Sequence, residues 1–180
     1  MTARMMPAAA PFAPAIAGQL DRMMKGRPPL RLFTTLARDP RLFGKFFAAG
    51  LLDRGHLTLR ERELVIDRTT ALVRSEYEWG VHVAAYAAAA GFDAAQLRSL
   101  VHGSADDGCW DDADKPLIRL CDALHRDCDV DDELWSALRA RFGDEALLEL
   151  LLLAGFYRTV GYLTNALRLP REAGAVRFPA

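Results

Sequence analysis

Four side chains near the middle of the chain have types and spacings suited to proton chemistry: Glu63, Ser75, Glu78 and His82. Glu78 and His82 stand four residues apart, close enough to touch along a helix, and Ser75 falls on the same face at i, i+3, i+7. A neighbouring carboxylate raises an imidazole pKa while burial lowers it, so such a pair can hold or pass a proton near neutral pH. Upstream, Glu63 interrupts the stripe Leu59, Glu63, Ile66, Thr70, Val73. A carboxylate on a buried stripe is costly unless it is paired. A rim position beside an arginine is one reading of Glu63, and membership of a reacting cluster is the other. A Glu/His pair can also ligate metal, but no second histidine is well placed by sequence, so no metal site and no cofactor are expected.

The elements that must position these groups all read as helices, because apolar residues recur at helical spacing and no convincing period-2 run occurs. Leu30 to Ala37 and Leu42 to Leu52 are two short helices around Asp39-Pro40, where proline suits a first turn. Thr58-Leu-Arg-Glu61 is a capping box opening a helix to about Arg74. A second runs from about Glu76 to Ala90 and stops at Gly91. From Trp79 onward it is apolar except for Gly80 and His82, which marks a helix buried on most sides. Asp93-Ala-Ala-Gln96 starts a helix to about His102, followed by a polar loop, Gly103 to Asp112, that contains Trp110. Further helices are expected at Ala113–Asp127, at Asp132–Phe142 with Asp131 as N-cap, and from a cap at Asp144 to Leu167. Gly155 and Gly161 would let this last helix approach a neighbour closely. The tail from Arg171 to Ala180 reads as irregular. Residues 1–29 read as a flexible Ala/Pro-rich leader: Pro7, Pro11 and Pro14 break up any signal-peptide core. Residues 30–180 form one helical domain.

Composition narrows the partners. Twenty-three Lys+Arg against twenty-four Asp+Glu leave a formal charge of −1, so no net cationic field draws the protein to nucleic acid or an anionic membrane. Glu149 and Arg158 divide the apolar run 147–169, which reads as a core or oligomer helix rather than a membrane span. Cys109, Cys121 and Cys128 form neither a CxxC nor a zinc pattern, consistent with a reducing, cytoplasmic setting. Cys121 and Cys128 lie roughly 10 Å apart along a helix, too far for a disulfide.

The run from Glu63-Leu-Val-Ile to Ser75-Glu-Tyr77-Glu78-Trp-Gly-Val-His82 resembles the carboxymuconolactone decarboxylase/alkylhydroperoxidase D-like family. Trp110, Asp122 to His125, Trp135, Leu147 to Glu149 and Tyr157 to Asn165 extend the resemblance over roughly residues 30–179. The thiol branch of that family has cysteines where this chain carries Ser75 and Glu78, so the resemblance implies acid–base chemistry here rather than peroxide reduction. It implies an all-α, single-domain bundle packed into a homo-oligomer, a trimer or hexamer. The activity it implies is that of a cofactor-free decarboxylase-like lyase or proton-transfer enzyme on a small cyclic (lactone or aromatic) acid. In that scheme His82 is the proton donor or shuttle, Glu78 sets its tautomer and charge, and Glu63 is a second acid/base across the pocket. Ser75, Tyr77, Tyr157 and Asn165 are candidate substrate-binding groups, and Arg68 and Arg74 are the cations nearest in sequence. A thiol-dependent peroxidase-like oxidoreductase using Cys121 or Cys128, or a non-catalytic small-molecule binding protein on the same fold, are the alternatives.

Overall fold

The computed structural model describes residues 3–180, and within them the chain is helical with no strands. In order the helices are α1 (Pro14–Met24), α2 (Arg31–Leu36), α3 (Pro40–Ala48), α4 (Leu59–Leu72), α5 (Glu76–Ala90), α6 (Ala94–His102), α7 (Lys115–Asp127), α8 (Asp132–Arg139) and α9 (Asp144–Ala166). The architecture expected from sequence is present: an all-α, single-domain bundle.

Helix α4 is the hub, packing against α5, α6, α7 and α9. Its start is fixed as the sequence requires: the Thr58 side chain accepts from the Glu61 amide, and the Glu61 carboxylate accepts from the Thr58 amide. From Glu63 to Ala71 every residue of α4 is buried, so this helix lies in the core with polar groups on all sides, and each needs a partner. Arg68 is one of them. It is buried, pairs with Asp122 at 2.7 Å and donates to the carbonyl of Leu100. Helix α9 approaches the C-terminal end of α4 at Gly161, where a Cβ would collide with the Val73 side chain. Gly155 makes no such approach and faces open space.

By length and composition α9 could cross a membrane, with 23 residues and a mean hydropathy of 1.4 in its most apolar window. One side of it, including Leu150, Leu153, Tyr157 and Val160, is buried in the core of the bundle, while Leu148, Leu152 and Tyr162 remain exposed on the other. Asp144 is the first residue of α9 rather than its cap; Gly143 occupies the cap position without a side-chain bond.

The leader is not uniformly irregular. Within it α1 buries Ile16, Leu20 and Met24, and the first two join Ala37 and Phe43 in a small apolar cluster. Alanines and prolines around these positions weaken the periodic signal, which hides the helix in the sequence. The tail is non-helical as expected, yet it is bound along its length as a strap. Glu172 accepts from the Tyr77 hydroxyl and the Arg31 amide, Val176 N–H donates to the Gly80 carbonyl at 3.2 Å, and Phe178 packs edge-on against Trp79. The strap crosses α5 at Gly80 because only a residue without Cβ leaves room for the Val176 carbonyl. Gly80→Ala is therefore expected to lower stability by about 1–3 kcal/mol through overpacking. Urea unfolding checks the loss, and limited proteolysis should show earlier cleavage within residues 171–180.

Candidate active site

His82 is the centre of the site. It sits in the second turn of α5, 4% exposed, and its two ring nitrogens meet different partners. Nδ1 lies 2.8 Å from Glu63 Oε2; Nε2 lies 3.1 Å from the Tyr157 hydroxyl and 3.4 Å from Glu78 Oε1. Three helices thus converge on one ring: α4 supplies Glu63, α5 Glu78 and α9 Tyr157. The capping box of α4 fixes where Glu63 falls, and the Ser75 cap of α5, which accepts from the Glu78 amide, fixes where Glu78 and His82 fall.

The positions of the two carboxylates correct the expected roles. Glu63 is not across the pocket as a second acid/base; it is fully buried behind the imidazole, held by Arg62 at 2.8 Å on its other oxygen. It is therefore Glu63 that sets the orientation of the ring, while Glu78 faces the open side. Burial pushes the His82 pKa down, but hydrogen bonds to Glu63 and Glu78, with their charges, outweigh it and hold the group up at about 10. The ring is an imidazolium at neutral pH, with both nitrogens carrying protons. Its Nδ1–H donates to Glu63, and its Nε2–H is shared between the Tyr157 oxygen and Glu78. Burial, with the nearby Glu78 and Glu63 charges, raises the Tyr157 hydroxyl well above its ordinary value, so it stays a neutral donor.

One buried carboxyl has no counterpart among the residues singled out from sequence. Asp67, one turn beyond Glu63 on α4, is 1% exposed and neither of its oxygens has a hydrogen-bond partner. Burial pushes its pKa well above the usual carboxylate range, against a smaller lowering by His82. Its i, i+4 relation to Glu63 is the available signal, and the adjacent Arg68 makes it look like an ordinary ion pair.

Glu78, His82 and Tyr157 open on a cavity of about 610 Å³ walled by α1, α2, α3, α5, α9 and the strap. The other expected binding residues do not reach it. Ser75 is fully buried against the Thr164 hydroxyl at 2.7 Å and serves as a helix cap. Tyr77 turns away to the Leu32 amide and Glu172, holding the strap. Asn165 donates to the Val73 carbonyl beside a separate surface groove, which Arg74 also lines. The cation that does line the cavity is Arg27, from the segment read as a leader. None of the three cysteines lines it. Cys121 is buried with its thiol pushed up to about 12 by desolvation, and Cys128 is exposed at the end of α7. Trp79 and Trp110 are buried in the core, as packing residues. Among the described residues no group of His, Cys, Asp and Glu is arranged to hold a metal ion.

Known proteins share part of the sequence and the fold. Residues 40–115, from the start of α3 to the start of α7, match the model of the carboxymuconolactone decarboxylase family, so the resemblance read from Glu63, Glu78 and His82 holds over that segment. Solved structures share the fold across nearly the whole chain. A peroxidase-related protein from Silicibacter sp. TM1040 is 18% identical with a TM-score of 0.82, covering 96% of this chain and 93% of its own. The alkylhydroperoxidase AhpD core of a peroxidase-related protein from Ralstonia eutropha JMP134 is 18% identical with a TM-score of 0.70, covering 94% and 92%. A cysteine-to-alanine variant of the debrominase Bmp8, in complex with 2,3,4-tribromopyrrole, is 14% identical with a TM-score of 0.75, covering 97% and 94%. No curated protein matches the sequence.

The folded pKa of His82 lies above the ordinary value of about 6.5 for a free imidazole. Its stabilising contribution is thus fully present below that value and is lost as pH rises through about 10. The His82 ring signals in an NMR titration should stay fixed across the neutral range and move near pH 10. In Glu63→Gln the same transition should fall to lower pH, because burial still opposes the charged ring while its strongest carboxylate hydrogen bond is gone.

Proposed function

We propose that the protein is an acid–base enzyme, a cofactor-free decarboxylase-like lyase or proton-transfer enzyme acting on a cyclic lactone or aromatic acid. The observation that carries this reading is the placement of His82, braced at Nδ1 by Glu63 and open to a largely apolar cavity beside Tyr157 and Glu78. Two groups that can carry positive charge line the cavity and would meet an anionic substrate, buried His82 and exposed Arg27, beside the carboxylates of Glu78, Asp53 and Glu172.

In the lyase direction the bond between ring carbon and carboxylate breaks, CO2 departs, and the electron pair passes into the conjugated ring carbonyl. The Tyr157 hydroxyl, polarised by the imidazolium behind it, donates to the developing oxyanion. A proton from His82 Nε2 then quenches the carbanion carbon, and solvent restores it through the open end of the cavity. Glu63 acts as a positioning residue throughout, keeping the ring charged and aimed. No cysteine lines the cavity, which weighs against the peroxidase-like alternative. The exposed stripe Leu148, Leu152 and Tyr162 on α9 supports assembly with further copies of the chain, as a trimer or hexamer. Three free cysteines support a cytoplasmic setting.

The test is a screen of unsaturated lactone acids and aromatic acids by ultraviolet absorbance and CO2 release. On the acid that turns over, His82→Gln should lower kcat by about 100-fold or more and Tyr157→Phe by about 10- to 100-fold. Alkylation of the accessible thiols should leave the rate unchanged. Full activity in His82→Gln, or its loss on alkylation, overturns the reading.

A further inference from the structure

The cavity is far larger than a single-ring acid requires. A buried void of about 150 Å³ accommodates one benzene, and the cavity beside His82 measures about 610 Å³. Its polar groups differ in burial. Glu78, His82 and Tyr157 are buried, Gln19, Tyr86 and Glu172 are half-buried, and Arg27 and Asp53 are exposed. The aromatic rings form an unbroken series of contacts. Phe33 meets Phe47 at 4.9 Å, Phe47 meets Phe46 at 5.2 Å and Phe46 meets Phe156 at 5.0 Å; Phe156 then meets Tyr157 at 5.5 Å, and Tyr157 meets His82 at 5.0 Å. The phenylalanines of this series carry no polar atom, and they give the cavity a continuous apolar wall leading to the proton donor. Met24 of α1 lines the cavity as well, a flexible side chain suited to irregular hydrocarbon.

We propose that the substrate class of this site is an extended apolar acid: an unsaturated or aromatic ring acid bearing a second ring or an alkyl chain of about four carbons or more. The ring and its carboxylate sit at the His82 end, and the extension lies along the phenylalanine wall toward Met24. A single-ring acid would leave most of the wall uncovered and forgo that burial. The orientation of the ligand rests on the acid–base function proposed above; the size and apolar character of its body rest on the cavity alone.

Isothermal calorimetry of the full chain with benzoate, 4-ethylbenzoate, 4-butylbenzoate and 4-phenylbenzoate tests this without requiring turnover. Affinity should rise about fourfold per buried methylene, giving about 100-fold or more from benzoate to 4-butylbenzoate. Met24→Trp, which narrows the wall, should weaken 4-butylbenzoate by about tenfold or more and leave benzoate unchanged. Because a substitution in α1 can disturb packing, Phe47→Ala serves as the second variant and should flatten the slope of affinity against chain length. Equal affinity across the series, or equal losses for short and long acids in both variants, overturns the proposal. A steep series with no turnover of any acid would sink the lyase function and leave the ligand class standing.

Discussion

Placing an ion in a protein core is unfavourable unless its charge is answered at close range, and Glu63 answers that of His82 across the 2.8 Å contact between α4 and α5. That contact ties together the two helices that carry the candidate site. It also explains why Glu63 is itself held by Arg62, since an unopposed carboxylate at full burial would be as unfavourable as the cation it serves. The surrounding elements keep water from the pair. Helix α9 closes one side with Tyr157, and its Gly161 lets it come near enough to α4 to do so.

The helical core was legible in the sequence because its signals are local. The Thr58–Glu61 and Asp93–Gln96 boxes, the Asp131 cap and the almost wholly apolar α5 each state their own structure within a few residues. The cluster of Glu63, Glu78 and His82 was legible too, since a charged group on an apolar face is costly unless it is paired. Their division of labour was not. The i, i+4 spacing pointed to Glu78 as the orienting partner, and only the packing of α4 against α5 puts Glu63 on Nδ1 instead. Ser75, Tyr77 and Asn165 share a face or a motif with the site, which made them look like ligand contacts. Each is instead consumed by the fold, as a helix cap, a tether for the strap and a bond to the Val73 carbonyl. Arg27 and Met24 were invisible as site residues, since nothing within a window of sequence tells that a segment so far upstream folds over the imidazole.

The two positions where the thiol pattern carries cysteine have separate fates in this geometry. Ser75 lies sealed against Thr164, so that position is structural, whereas Glu78 faces the cavity. One is absorbed into the scaffold, and the other presents a carboxylate beside the imidazole. Structures of the same shape include a peroxidase-related protein and a debrominase. Likeness of frame therefore says little about chemistry, which resides in the few side chains the frame brings together.

The cavity draws its walls from both inside and outside the segment that matches the family model. The segment shared with the family, residues 40–115, holds Glu63, Glu78 and His82, while α1, the strap and α9 with Tyr157 lie outside it. The division is not clean: Phe46 and Phe47 of the wall fall inside that segment and Tyr157 beside His82 falls outside it, so the pocket is assembled only in the folded state. Changes in α1 or the strap would redraw the outline of the cavity while leaving the contacts among Glu63, Glu78 and His82 in place.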